Sequence, residues 1–172
     1  MFIKIPIFKP DKWLEQNLPK VQFFYSKLWT NFILFLGVIG VLMVIRNWEE
    51  FSSIFMYLFS KEGMVYYFLS LILVKTLHEL GHAFTAKKYG CTVPSMGVAF
   101  LVLFPVLYTD NTNAYALKSK YKRLRIVLAG MKVEIYLAII ATFLWSFLPE
   151  GPLKSISFII ATTSWITSLL VN

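Results

Sequence analysis

Between Lys27 and Arg46 the chain runs for eighteen residues without a charged side chain, and nothing else in the sequence restricts the fold as much. At about 1.5 Å per residue, such a run as a helix matches the roughly 30 Å hydrocarbon core of a bilayer. Inside lipid the backbone must satisfy its own hydrogen bonds, so the run is expected to be a helix crossing a membrane. Composition extends the argument to the whole chain. Hydrophobic residues make up 58% and charged residues only 15%, against about 45–50% and about 25% in soluble domains.

Further apolar stretches follow at Met64–Lys88, Ile126–Leu148 and Ile156–Val171, the last rich in Ser and Thr as suits helix packing in lipid. Residues 1–27, with Pro6, Pro10 and Pro19, read as an irregular cytoplasmic arm carrying a short helix near Asp11–Asn17. Asn47–Gly63 reads as an external loop whose Phe51–Phe59 portion lies in the interface. Val93–Tyr108 is almost wholly apolar but short for a span, and Pro94, Gly97 and Pro105 argue against a helix interior, which points to a re-entrant hairpin. The expected fold is therefore an all-α membrane protein of about four transmembrane helices, with a re-entrant hairpin between the second and third. Residues 28–172 would form the membrane-embedded domain.

The net charge of +8 raises the question of nucleic acid, and its placement answers it. Lys4, Lys9, Lys12, Lys20 and Lys27 precede the first span, and five basic residues lie between Lys118 and Arg125. Basic residues beside apolar spans set topology and attract anionic lipid, so no nucleic-acid partner is expected. An N-terminus in the cytoplasm puts twelve basic residues on that side, against Arg46, Lys61 and Lys154 outside. This is the positive-inside asymmetry of a multi-pass protein of the cell membrane. Residues 1–13 lack the apolar core of a signal peptide, so the first span is expected to insert as an uncleaved anchor. Cys91 is the single cysteine, which rules out an internal disulfide.

The chemistry sits in the second span. The chain's two histidines, His78 and His82, lie four residues apart with Glu79 after the first. Residues at i and i+4 share a helix face, so both imidazoles can hold one zinc ion. Glu79, about 100° around the helix, is placed to act as general base on a water rather than as a ligand. The bland alternative is a structural polar patch, but three ionisable groups in five residues are costly at membrane depth. Gly81 between them would let another backbone approach closely. The helix is expected to end at Lys87-Lys88-Tyr89-Gly90, basic residues followed by glycine.

Glu134, in the third apolar run beside Lys132, is a candidate metal ligand, a partner to a ligating histidine, or half of a structural ion pair. Asp110 reads more readily as a helix cap than as a ligand. Cys91, alone, is expected to be inert.

His-Glu-Leu-Gly-His in an apolar helix, followed by an apolar Pro/Gly hairpin and a further span, resembles the site-2 protease family of intramembrane zinc metallopeptidases. Leu103–Asp110, Leu128-Ala129-Gly130 and Ala161–Trp165 resemble one bacterial branch, the peptide zinc metalloproteases associated with maturation or export of small peptides. The resemblance implies zinc held by His78 and His82, Glu79 as the base, and a cleft lined by the hairpin at Val93, Pro94, Gly97 and Pro105. The family's third ligand, an aspartate on a later span, has no match before Asn172, so the chain is expected to stop short of that motif, or Asp110 or Glu134 completes the site. The functional expectation is a membrane zinc endopeptidase acting on a membrane-associated peptide or protein. The alternatives are a catalytically inactive membrane component of a peptide export or maturation complex, and a metal transporter using His78, His82 and Glu134.

Overall fold

A computed structural model describes residues 2–55, 60–101 and 104–170. The chain is mainly helical, and it divides into two compact units, one of Met1–Tyr25 with Lys75–Val133 and one of Ser26–Val74 with Glu134–Asn172.

The first unit contains β1 (Phe2–Phe8), α1 (Asp11–Val21), the second half of α4 (Lys61–Lys88), β2 (Met96–Leu101), β3 (Phe104–Thr109), α5 (Lys120–Val127) and the start of α6 (Ala129–Phe147). The expectation of an irregular N-terminal arm is corrected here. β1 pairs antiparallel with β2, and β2 with β3, in a three-stranded sheet of order β1-β2-β3. The prolines that argued against regular structure sit on its two edge strands, Pro6 on β1 and Pro105 on β3, the positions where a sheet tolerates proline because one side of the strand carries no ladder. The chain is therefore not all-α. The stretch expected to be re-entrant is a β-hairpin, and residues 102–103 of it lie outside the described residues.

α1 runs on past the expected Asn17 to Val21. It packs through Leu14, which is fully buried, and through Trp13, whose ring lies 5.5 Å from that of Phe84 on α4. Asp11 ties the same junction. Its carboxylate accepts from the Val93 N–H (2.9 Å) and from Lys87 Nζ (3.0 Å). Ala83, Ala86, Cys91, Val93 and Ile126 complete this core. α4 ends where the sequence placed its stop. Gly90 adopts φ +79°, and the N–H groups of Gly90 and Cys91 donate to the carbonyls of Lys87 and Ala86, closing the last turn in a Schellman motif.

The second unit contains α2 (Lys27–Arg46), α3 (Trp48–Phe55), the first half of α4, the rest of α6 and α7 (Pro152–Leu170). Ser26 caps α2 by accepting from the Trp29 N–H. α3 replaces part of the loop expected at 47–63, with Glu49 and Glu50 in its first turn where the helix dipole favours acidic groups; residues 56–59 lie outside the described residues. Trp145, Phe158 and Ile159 form the core with Phe51 and Tyr67. Gly37 and Gly40 bring α2 close to Ile139 and to the Phe143 backbone of α6.

Among the described residues α2, α6 and α7 are long and apolar enough to cross a membrane. Only 11% of the most apolar window of α2 is buried. Leu34, Phe35, Val38, Leu42 and Ile45 are among its exposed residues, a surface that suits lipid and would be poorly tolerated in water. This is a membrane protein. α4 is helical for 28 residues and exposes Met64, Val65, Phe68, Leu69 and Ile72 along its first half.

Candidate metal centre

α4 brings its two histidines together as the four-residue spacing requires. The Nε2 atoms of His78 and His82 lie 3.0 Å apart, with ring centroids 4.7 Å apart and the planes at 75°. His82 Nδ1 lies 2.6 Å from the carbonyl oxygen of Ile126. A carbonyl can only accept, so Nδ1 carries the proton and Nε2 presents its lone pair, the tautomer that binds metal. Ile126 lies in the last turn of α5, where its carbonyl accepts from the Leu128 N–H and keeps a second lone pair for His82.

Two glycines shape the space around the pair. A Cβ on Gly130 would land on the His78 ring, meeting Nε2, Cδ2 and Cε1. A Cβ on Gly81 would lie 2.7 Å from Val133 Cγ2 and 3.0 Å from the Ala129 carbonyl oxygen. The close approach expected at Gly81 is thus made by the first turn of α6. Glu79 is half-buried, and its backbone carbonyl accepts from Thr109 Oγ1 at 3.0 Å. That bond fixes the end of β3 beside the helix carrying the histidines.

The remaining candidates fall as follows. Asp110 accepts from both the N–H (3.1 Å) and the hydroxyl (2.6 Å) of Thr112. These bonds hold its carboxyl below the ordinary value, the hydroxyl bond contributing most. The helix cap expected at Asp110 falls one residue later, at Asn111, before the short 3₁₀ helix Thr112–Ala116. Glu134 is fully buried. Cys91 is buried, which pushes its thiol pKa up and disfavours the thiolate a metal would need. No group of three His, Cys, Asp or Glu side chains able to hold a metal is gathered among the described residues. Of the hairpin residues, Val93 lies in the core, Gly97 backs onto β1, and Pro94 and Pro105 are exposed.

The donor chemistry fits zinc at two positions. Two imidazole nitrogens 3.0 Å apart can both bond one ion at the about 2.0–2.1 Å of zinc–imidazole bonds. The sequence reading missed Ile126, Gly130 and Thr109 as parts of the site. Gly130 had a signal, a residue without a side chain in the opening of an apolar run, whereas a backbone carbonyl such as that of Ile126 leaves none.

A His-Glu-x-x-His helix in a membrane protein defines the class as a membrane metallopeptidase. The model of peptidase family M50 matches residues 66–172, and the chain belongs to this family, that of the site-2 proteases. Its members are in general membrane zinc metalloproteases. No curated protein and no solved structure matches the chain.

Proposed function

We propose that this chain acts as a membrane-embedded zinc endopeptidase on a membrane-associated peptide or protein, in peptide maturation or export. The observation that carries the reading is the pair of Nε2 atoms 3.0 Å apart, with the His82 proton held on the opposite nitrogen by Ile126. His78 and His82 would hold the zinc. When bound, the ion supplies Lewis acidity for the scissile carbonyl and for a water molecule. Glu79 takes a proton from the attacking water on its carboxylate and returns it to the departing amine nitrogen, so the acyl carbon gains hydroxyl and the nitrogen gains hydrogen. Thr109, bonded to the Glu79 carbonyl, sets β3 beside this base. β2 is paired on both sides, which leaves the outer edges of β1 and β3, and an extended substrate would add to β3, the strand tied through Thr109 to the helix of the histidines.

The distribution of basic residues supports four crossings, by α2, α4, α6 and α7, in the cell membrane with a cytoplasmic N-terminus. Catalytic zinc takes three protein ligands; Glu134 and Asp110 are the candidates to test for the third place.

Elemental analysis of the detergent-purified chain decides the matter, paired with cleavage of a membrane-associated peptide. The expected result is about one zinc per chain, lost in His82→Ala and retained in Glu79→Gln, with hydrolysis absent from both variants. Glu134→Gln and Asp110→Asn then identify the third ligand by which of them releases zinc. A wild type holding no more zinc than His82→Ala overturns the metal site. Zinc bound without hydrolysis makes the chain a catalytically inactive component of an export or maturation complex, and zinc flux into liposomes makes it a transporter.

A further inference from the structure

α5 buries a single side chain. Ile126 is 2% exposed, whereas Tyr121 (68%), Leu124 (53%), Val127 (67%) and Leu128 (44%), the last just beyond the helix end, stand outward. Their spacing of three and four residues places them along one stripe, roughly opposite Ile126. Water is a poor solvent for such a stripe.

The surroundings of the stripe are basic. Lys118, Lys120, Lys122 and Arg125 are exposed beside it, and no acidic residue occurs between Asp110 and Glu134. Lys122 Nζ and Arg125 Nη1 approach Tyr89 at the end of α4, at 5.7 Å from the ring and 3.3 Å from the hydroxyl, which makes a cationic ledge with an aromatic backing. Arg123 is turned to the Leu117 carbonyl (2.6 Å) and belongs to the fold rather than to the ledge. Directly after Leu128 begins α6, a helix apolar enough to cross a membrane.

We propose that the outer face of α5 docks on anionic lipid headgroups at the bilayer surface, and that this seating holds the Ile126 carbonyl on His82. Charge complementarity selects the occupant. Each Lys or Arg near an anionic membrane surface is worth about fivefold in binding, and the apolar stripe enters the acyl boundary as an interfacial helix does. A nucleic acid would neutralise the basic residues but leave Leu124 and Val127 in water. The link to the metal centre is short. The residue whose carbonyl orients His82 is also the one side chain that anchors α5 inward, so pressure from the outer face bears on the second metal-ligating histidine. This second half rests on the zinc reading above; the docking does not.

Cys91 is buried, so a Leu124→Cys variant carries one accessible thiol for an environment-sensitive fluorophore. The labelled full chain is placed in nanodiscs of phosphatidylcholine alone or mixed with phosphatidylglycerol, and zinc release to a chelating dye is timed with the unlabelled wild type in the same discs. Phosphatidylglycerol is expected to shift the label's emission to the blue and to slow zinc release several-fold. Both effects should vanish when Lys118, Lys120, Lys122 and Arg125 are all replaced by Gln, which keeps helix propensity and removes the charge. Emission indifferent to lipid charge, whether blue or red in both kinds of disc, overturns the docking. A blue shift with unchanged zinc release overturns the link to His82. If the chain holds no zinc, the metal reading fails and the label still reports on docking.

Discussion

The two units differ in the balance of contacts that holds each of them together internally. In the first, directional bonds at identifiable atoms do the positioning: Asp11 to the Val93 N–H and Lys87, Thr109 to the Glu79 carbonyl, His82 to the Ile126 carbonyl, and the ladder of a three-stranded sheet. In the second, side-chain bonds such as Thr30 to Tyr136 and Trp165 to Thr142 join helices that otherwise meet through apolar side chains and small residues, as at Gly37 and Gly40, and that turn other apolar faces outward. Chemistry that needs two nitrogens at a fixed separation is built where the contacts are directional. A surface whose solvent is lipid needs only length and apolarity. The units should therefore respond differently to the same small change, the addition of one methyl group.

The largest effect is expected at Gly130. In Gly130→Ala the new Cβ falls on the His78 imidazole, so the ring must leave the position that faces His82. Zinc affinity should drop by about 10–100-fold, the scale seen when a ligating histidine loses its orientation. Competition with a chelating dye measures it, and helical content by circular dichroism should stay at the wild-type level. Affinity unchanged from wild type would show that His78 is not held by this contact.

Gly97→Ala probes the sheet of the same unit. Its Cβ would strike the Ile5 carbonyl oxygen and come within 2.9 Å of Ile7 N, backbone atoms that cannot rotate away. A cost of about 1–3 kcal/mol is expected, read as faster amide exchange in β1 with little change in α2. Equal acceleration in both units would remove the distinction between them.

Asp11→Asn is a gentler test. The amide oxygen still accepts from the Val93 N–H, but one of the two carboxylates paired with Lys87 is gone while Glu15 stays at 3.2 Å, a loss of about 1 kcal/mol. The Asp11 carboxyl is held below its ordinary value of 3.8 chiefly by the Val93 N–H and then by Lys87. Its unfolded form binds a proton first, so the stabilisation is complete above that value and is lost as the pH falls below it through the folded pKa. Wild type should destabilise in acid more steeply than Asp11→Asn. Matching acid profiles would mean that the Asp11 bonds contribute nothing to the fold.

The same division explains what could be read from sequence. Run length located α2, α6 and α7, because a lipid-facing helix is specified by composition alone. His78, Glu79 and His82 were legible because their spacing works within one helix, and Gly81 and Gly90 because a missing side chain is itself a signal. The sheet was hidden. Pro6 and Pro105 read as breakers, since a single strand does not announce that it will lie at an edge, and the partner of Phe2–Phe8 begins at Met96, far along the chain. The anchoring of His82 was out of reach for a related reason. Ile126 serves through the second lone pair of a carbonyl that also accepts from the Leu128 N–H, and every residue possesses such a carbonyl. α5's outer stripe was within reach, but its first part lies in the basic cluster Lys118–Arg125 and only its end in the apolar run that opens at Ile126.

Gly37→Ala should do least, and its smallness is what sharpens the comparison. The added Cβ would sit 3.4 Å from Ile139 Cδ1 and 3.5 Å from its Cγ2, ordinary contacts with the movable end of a side chain. Alanine also removes the helix-propensity deficit of glycine, worth up to about 1 kcal/mol. Thermal unfolding in detergent should therefore be unchanged or slightly raised, with zinc affinity equal to wild type. A clear loss of stability would mean that α2 and α6 are fitted as closely as α4 is against Gly130, and the second unit would then be as exacting as the first.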